Sequence, residues 1–392
     1  MRTALLLSLL LAPASFATPR KVAVLPIQAL SGDVPPRAGP RVTARLASEV
    51  RAVEGLTLSE PPTTPAASDP LARARAALRQ AAEAREAHDF ARAEAALTEA
   101  RDAYAAGASG LTDPSEVADA YALSAAVRYA TGQDDEAERM LTHALTLAPG
   151  RTPPLAATSP LFARTVERTR AALQARPRGA VSALSIPPGV PLSLDGRPVG
   201  VTPVRITEVP PGAHLWQARL PSGDVAGGVV VVAPGSEARV DIAPAASAGP
   251  DAVLANALAG NTLDAASLEA ATTLGRAAGA DLIVLGAVSR AGGGLALDAF
   301  VFAPGDMAPR RLPRLALDTE LLDSGEPLRR LVATLVSQEL ADAAPVTLPA
   351  LASREPLPTP RATQSRYPTG EAAARPVDRA QSAPIRRPLV KP

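Results

Sequence analysis

The sequence predicts a multidomain α+β protein, because two stretches with different residue patterns follow each other in a chain of 392 residues. Residues 70–176 are rich in Ala, Leu, Arg and Glu with few helix breakers, which is typical of packed helices. Residues 180–245 alternate apolar and polar positions between closely spaced turns, which is typical of a small β-sandwich. At roughly 100–200 residues per domain, a chain of this length is too long for one core.

The composition excludes several classes of function. The chain has 40 basic residues and 39 acidic ones, so its net charge of +1 creates no overall field that would draw it to nucleic acid or lipid. Cysteine is absent, which removes disulfide frameworks, thiol nucleophiles and zinc–thiolate sites. Arginine outnumbers lysine 38 to two, so a single arginine carries little information about function.

Familiar catalytic patterns are missing from the sequence. It contains no P-loop, no G-x-S-x-G, no H-E-x-x-H and no S-x-x-K, and no two carboxylates can be assigned to one cleft. The three histidines are far apart in sequence, and we expect His88 and His143 on the surface of the helical region and His214 hydrogen-bonded to a turn carbonyl. The sequence therefore predicts a protein that is not an enzyme and holds no cofactor or metal.

Residues 1–17 have the three parts of a secretory signal peptide: a basic Arg2, an apolar run over 4–11, and small residues at Ser15 and Ala17 before the cut. The alternative is a membrane anchor, which needs about 20 apolar residues, more than this run supplies. No later stretch of 18 apolar residues lacks charges or prolines. We therefore expect an exported protein, in the periplasm or at the cell surface, with no transmembrane segment in the mature chain.

An α/β domain is predicted in two separate pieces. Residues 21–27 have the apolar run of a buried strand, residues 42–53 have helical spacing, and residues 56–58 resemble a second strand. This β-α-β start has no partner nearby, because the chain then turns proline-rich. Far downstream, residues 281–288 form a second apolar run, which a triple glycine connects to an alternating strand at 295–302. The alternative is that the two pieces are separate small elements.

The segments VAVLPIQALSGD and LGRAAGADLIVLGAVSRAGGGLALDAFVF resemble the exported α/β domain at the N-terminus of TolB and of CsgG-like outer-membrane assembly proteins. The resemblance implies that residues 18–60 and 251–342 form one domain, interrupted by a long insertion. It also makes an accessory role in outer-membrane assembly or secretion an alternative function.

Two segments of the helical region share one pattern, and the second lies 44 residues after the first. In each, a turn is followed by small residues and a leucine on one helical face, where two helices can approach closely. This pattern resembles the tetratricopeptide repeat, whose period is about 34 residues. The resemblance implies a concave groove for an extended peptide or a partner helix, and the alternative is a spacer. The matching residues are Ala93, Leu97, Ala100, Gly132, Ala137, Leu141, Ala144 and Pro149.

Residues 180–245 carry the most specific pattern in the chain. The run SIPPGVPLSLDGRPVGVTPVRITEVPPGAHLWQARLPSGD resembles the PEGA domain, a surface-associated β module. The resemblance implies a small β-sandwich whose turn residues are explained by backbone geometry. The residues that match the motif are Pro188, Gly189, Asp195, Gly196, Gly200, Thr202, Pro203, Pro211, Gly212 and His214.

A possible ligand contact on the sandwich is predicted at Trp216, Arg197 and Asp195. Trp216 is the only tryptophan of the chain, and an exposed aromatic ring beside charged side chains can stack on a sugar ring. The alternative places the Trp216 ring in the core of the sandwich, where a small β domain readily buries it.

The C-terminal segment is predicted to be disordered. Residues 345–392 contain ten prolines and few large apolar side chains, and eight basic residues against three acidic ones give this segment a charge of +5. A chain of this kind does not bury enough apolar surface to fold. Its last basic residues, Arg386, Arg387 and Lys391, can contact anionic envelope polymer.

Taken together, these patterns predict an exported, non-catalytic envelope protein that acts as a scaffold or tether. Its expected partners are envelope proteins bound by the helical repeats, and no nucleic acid. One alternative is a cell-surface glycan-binding module, in which the sandwich and the tail hold cell-wall or surface polysaccharide. The other alternative is the accessory factor for outer-membrane assembly described above.

Overall fold

The structure is a computed structural model and describes residues 19–60, 69–244, 249–337, 340 and 344–368. These residues form two compact units. Among the described residues, the α/β unit comprises 19–60, 221–223, 243–244, 249–337, 340 and 344–359, and the helix–sandwich unit comprises 69–220, 224–242 and 360–368. The multidomain α+β class predicted from the sequence is confirmed.

The elements are numbered in chain order. The helices are α1 (Ala38–Ala52), α2 (Pro70–Glu86), α3 (Phe90–Ala106), α4 (Ser115–Ala130), α5 (Asp134–Leu147), α6 (Pro154–Thr158), α7 (Pro160–Ala175), α8 (Pro250–Ala259), α9 (Ala265–Ala277) and α10 (Gly325–Ala333). The strands are β1 (Arg20–Val24), β2 (Gln28–Ala29), β3 (Leu56–Leu58), β4 (Gly179–Ser185), β5 (Pro191–Leu194), β6 (Arg197–Val201), β7 (Val204–Val209), β8 (Gly212–Arg219), β9 (Val225–Val232), β10 (Glu237–Ile242), β11 (Leu282–Ala291), β12 (Gly294–Phe302), β13 (Arg310–Arg311), β14 (Leu315–Leu317) and β15 (Thr363–Arg366).

A seven-stranded sheet forms the centre of the α/β unit. Strand β1 lies between β3 and β11 and is parallel to both, with Val22 opposite Leu58 on one side and Leu282 on the other. Strand β11 forms an antiparallel hairpin with β12, and the short strands β2, β13 and β14 complete the sheet. The two pieces predicted at 18–60 and 251–342 therefore contribute strands to one sheet.

Helices cover both faces of this sheet. Helices α1 and α10 pack on one face over a core that includes Val22 and Val284. Helices α8 and α9 pack on the other face over a core that includes Leu25 and Ile283. Neighbouring residues of β11 thus enter opposite cores, which explains why central strands appear in the sequence as continuous apolar runs.

Two four-stranded sheets form the sandwich of the helix–sandwich unit. One sheet has the order β10-β4-β7-β15 and the other has the order β6-β5-β8-β9. Alternate residues of the strands meet between the sheets, where Val181 and Ile206 of the first sheet pack with Leu192 and Leu194 of the second. This period of two is the pattern expected of strands with one buried face.

The helices of the same unit pack in pairs, α2 on α3 and α4 on α5, with α7 against α5. Small side chains lie where helices meet: Ala93, Ala100 and Ala137 are completely buried. Small residues at such contacts let helix backbones approach closely. Of the positions in the helical pattern, the alanines and leucines lie in the interior of the helical layer, whereas Gly132 and Pro149 are exposed.

The helical layer and the sandwich share a core. Ala213 and Leu215 of β8 are buried in a cluster with residues of α3, α4 and the loop around Leu111. Nε2 of Gln217 donates to the carbonyl oxygens of Ala108 and Leu111 at 2.8 and 2.7 Å. Strand β8 is thus covered on both faces, by its own sandwich and by the helices.

The prediction of a disordered C-terminal segment is wrong for residues 345–368. Ala350 exchanges two backbone hydrogen bonds with Leu263, and strand β15 pairs in parallel with β7. Tyr367 is 8% exposed in the sandwich core. Composition does not predict the order of this segment, because a few of its side chains, such as Tyr367 and Ala350, pack against parts of the chain that are distant in sequence.

Several predicted features lie outside the described residues. They are the signal peptide at 1–17, residues 369–392, and with them Arg386, Arg387 and Lys391. Within the part of the chain that the structure describes, no helix is both long and apolar enough to cross a membrane.

Candidate functional site

The leading candidate site is a cleft on the helical layer, which we call the helical groove. It has a volume of about 530 Å³ and is lined by α2, by α4 and by the chain from Arg151 to Leu155. Leu78 and Leu123 contribute apolar surface to the groove, and four arginines line it as well: Arg75, Arg79, Arg85 and Arg151. The groove can therefore contact both apolar and anionic groups of a ligand.

Two of these arginines are neutralised by carboxylates of α4. Arg75 donates to both carboxylate oxygens of Glu116, at 2.8 and 3.0 Å. Arg151 donates to Asp119 at 2.6 Å. Burial raises the pKa of Asp119, and the charge of Arg151 opposes this shift. These two ion pairs connect α2 and the chain around Arg151 to α4, and each pair has no net charge.

The other two arginines have no such partner. The exposed side chain of Arg79 forms no hydrogen bond or ion pair with any described residue, and Nε of Arg85 is buried without a hydrogen-bond partner. A buried guanidinium nitrogen without an acceptor is costly, and an anionic ligand removes that cost. Within the described residues, the groove therefore has an excess of positive charge.

None of the residues that matched the helical repeat pattern lines the groove. Leu97 and Leu141 are buried between helices, and Gly132 makes the turn before α5 with φ of 72°. Pro149 follows the end of α5. These residues shape the helical layer and hold α2 and α4 in place to form the groove.

Asp195 is the centre of a hydrogen-bond network in the sandwich. Its Oδ2 lies 2.6 Å from Nδ1 of His214 and accepts from the hydroxyl of Tyr367 at 2.8 Å, while its Oδ1 accepts from the N–H of Leu215 at 2.9 Å. Nε2 of His214 donates to the carbonyl of Pro210 at 2.7 Å, which is the turn hydrogen bond predicted for this histidine. Burial, together with the Asp195 carboxylate, raises the pKa of Tyr367.

The structure brings together only two of the three residues predicted to contact a ligand. Arg197 and Asp195 line a second cavity of about 450 Å³, together with Tyr367. Trp216 does not line it. The Trp216 ring is half-buried against Gly228 of β9, where a Cβ atom would lie 2.8 Å from its ring nitrogen.

The remaining residues of the sandwich motif hold its turns. The hydroxyl oxygen of Thr202 accepts from the N–H of Val190 at 3.0 Å, and its carbonyl accepts from Gly189 at 2.8 Å. Gly196 and Gly200 have φ of 74° and 131°, which favour glycine. Pro188, Pro203 and Pro211 lie in the connections between strands, and Gly212 begins β8.

The other two histidines differ from each other in their surroundings. His88 is exposed, as predicted. The expectation of a surface position holds only in part for His143, which is half-buried and whose ring packs 5.0 Å from the ring of Tyr121. Burial first, and then the charge of Arg101, lower the pKa of His143 to about 4. Among the described residues, no three His, Asp or Glu side chains are grouped so that they could hold a metal ion.

Comparison of the chain with protein-family models, with curated proteins and with solved structures found no match. The function is therefore inferred from the geometry of the chain's own residues.

The unpaired arginines of the groove were not predicted from the sequence. With 38 arginines in the chain, no single one stood out. The sequence did contain a pattern that could have predicted them. A set of residues spaced three or four apart lies on one face of α2: Arg75, Leu78, Arg79, Ala82 and Arg85. That face carries arginine and apolar residues together.

Proposed function

We propose that this chain is an exported, non-catalytic envelope protein that binds a partner in the helical groove. The observation that carries the proposal is the combination, in one groove, of apolar lining with the unpaired guanidinium groups of Arg79 and Arg85. The partner that fits is an extended peptide or a helix with both apolar and acidic side chains. Its carboxylates form charge-assisted hydrogen bonds with the arginines, and its apolar side chains cover Leu78 and Leu123.

Export and module identity belong to the same proposal. The signal-peptide pattern at 1–17 supports export to the periplasm or the cell surface. The helix pairs with small interior residues support a tetratricopeptide-like origin for 70–176. The two facing sheets and the turns around Asp195 and Thr202 support a PEGA-like origin for 180–245.

Site-specific photocrosslinking tests the groove. A photoreactive phenylalanine analogue at Leu78 in the full-length protein, expressed in its source organism, should capture a protein partner. We expect the captured band to disappear when Arg79→Glu and Arg85→Glu are combined, because two repulsive charges then replace two attractive ones. The analogue at exposed Ala87, outside the groove, should not capture that band.

Matched charge reversals provide the control. Arg73→Glu lies on the same helix and Arg92→Glu on α3, both exposed and outside the groove. They change the net charge by the same amount as the groove variants and should leave the crosslink intact. Equal loss with the control pair, or no band specific to Leu78, would contradict the proposal.

An accessory role in outer-membrane assembly is the second candidate function. It is favoured by one observation, the parallel pairing of Val22 with Leu282, because the resemblance to TolB and CsgG-like proteins requires one sheet built from both ends of the chain. Cells that lack the protein should then show defective outer-membrane assembly, measured as sensitivity to large hydrophobic antibiotics. An unchanged barrier in those cells would contradict this role. The glycan alternative has less support, because Trp216 lies away from the cavity.

A further inference from the structure

The second cavity of the helix–sandwich unit is lined by both aliphatic and basic side chains. It lies between helices α5 and α7 and the sandwich and has a volume of about 450 Å³. Leu145, Leu147 and Leu173 supply aliphatic surface. The basic side chains are those of Arg170, Arg178 and Arg197.

The carboxylate of Asp195, which also lines the cavity, does not pair with these arginines. It accepts three hydrogen bonds, from His214, Tyr367 and the N–H of Leu215. The Tyr367 hydroxyl donates its hydrogen bond to Asp195 and so has no second donor for a ligand. No ion pair between Asp195 and an arginine occurs among the described residues.

The three arginines therefore retain unused donors. Nε of Arg170 is buried without a hydrogen-bond partner, although another nitrogen of the same group pairs with Glu167. The exposed side chain of Arg178 forms no hydrogen bond or ion pair with a described residue. Arg197 donates to the carbonyl of Pro368 through only one of its nitrogens.

We propose that this cavity binds a small organic anion with an aliphatic body. Its carboxylate or phosphate head accepts hydrogen bonds from Arg170, Arg178 and Arg197, and its aliphatic body lies against the leucines. Guanidinium groups match both kinds of oxyanion, so the shared chemistry is the oxyanion itself. The volume is within the range of small-molecule sites, about 300–1,000 Å³.

The same features argue against other occupants. A sugar is typically held by stacking on an aromatic ring, whereas Tyr367 is the one aromatic residue among the described lining residues and Trp216 does not line the cavity. A membrane lipid with two long chains is too large for this volume. The site is separate from the helical groove, because no residue lines both cavities.

Calorimetric titration of the mature protein, residues 18–392, tests the site. Octyl phosphate and octanoate are used separately as probes, and we expect at least one of them to bind. Comparing their affinities shows whether the site prefers a phosphate or a carboxylate. Inorganic phosphate should bind at least about 10-fold more weakly because it lacks the aliphatic body. Octyl glucoside, which has the body without the charge, should not bind. Binding of neither anionic probe, or equal binding of octyl glucoside, overturns the proposal.

Single substitutions then locate the binding. Arg170→Gln and Arg178→Gln should each weaken binding of the anionic probe by roughly 10-fold, since each removes a charge-assisted hydrogen bond. Arg164→Gln, an exposed arginine of the same helix α7 that does not line the cavity, is the matched control. Thermal unfolding of each variant checks that the fold is intact. Binding that survives both cavity substitutions unchanged places the anion elsewhere and overturns the assignment.

Discussion

Nδ1 of His214 lies 2.6 Å from Oδ2 of Asp195 inside the sandwich, and both side chains are almost completely buried. The opposite ring nitrogen donates to the carbonyl of Pro210, so the imidazole is held at both ends. Removing the ring leaves two buried acceptors without this donor, and such losses are costly because no water replaces the missing hydrogen bonds.

We therefore expect His214→Leu to lower the free energy of unfolding by about 3–5 kcal/mol. Tyr367→Phe removes only one hydroxyl hydrogen bond to the same carboxylate and should cost about 1 kcal/mol. Urea unfolding followed by circular dichroism measures both losses. A smaller loss for His214→Leu than for Tyr367→Phe would show that the histidine does not hold the network.

Strand β15 depends on the same network through Tyr367. The strand is four residues long and its side chains are mostly exposed, so the buried tyrosine is its main anchor. A chain that ends after Pro360 loses both the pairing with β7 and this anchor, and should be destabilised by about 3 kcal/mol, as for loss of a buried aromatic side chain. A chain that ends after Pro368 keeps both and should unfold like the full-length protein. Equal stability of the two shortened chains would show that β15 adds nothing.

Gly212 is required by a close approach of β8 to α5. A Cβ atom at this position would lie 2.3 Å from Oγ1 of Thr146, and φ is 134°. Gly212→Ala should therefore cost more than about 2 kcal/mol, because strain is added to the clash. Gly132→Ala is the matched control: φ is 72° with no atom within 4 Å, so only the strain of about 1 kcal/mol applies. Thermal unfolding should rank the two variants in this order, and the reverse order would contradict the close approach.

Periodicity predicted the central strands and the first helix of the α/β unit but not how the strands pair. The run that contains Val22 and the run that contains Ile283 are apolar because each strand is buried on both faces, whatever their separation in sequence. The helix-sandwich contact was harder to predict. One feature of β8 reflects this contact: Gly212 to Leu215 are four consecutive buried residues. In a strand with one face exposed to solvent, buried and exposed residues would alternate.

The C-terminal segment and the arginines of the two cavities were not predicted from the sequence, for a different reason. Composition averages over a whole segment, so the proline-rich sequence around Tyr367 predicted disorder although one side chain fits a pocket made by Asp195 and His214. The arginines of the cavities were missed for a related reason. An arginine acquires a role only when the fold leaves it without a carboxylate, as at Arg79, and spacing alone does not reveal which arginines those are.

His143 should make the protein less stable in acid. Its pKa is about 4 in the folded chain, because the ring is buried beside Tyr121 and Arg101, with Glu136 opposing the shift only partly. The ordinary value of about 6.5 applies once the chain unfolds. As the pH falls from 6.5 to 4, the unfolded chain binds a proton that the folded chain does not. Stability therefore falls over this window, by up to about 3 kcal/mol, and this group adds no further loss below pH 4.

Urea unfolding at pH 7 and at pH 4.5 checks this expectation. The wild-type protein should lose about 2–3 kcal/mol more than His143→Gln between the two pH values, because the carboxylates titrate in both proteins and cancel in the comparison. His88→Gln, which removes an exposed imidazole from the same helical layer, is the matched control and should keep the wild-type fall. If His143→Gln loses as much stability in acid as the wild type, the imidazole is not buried in a neutral form, and its contact with Tyr121 does not persist in solution.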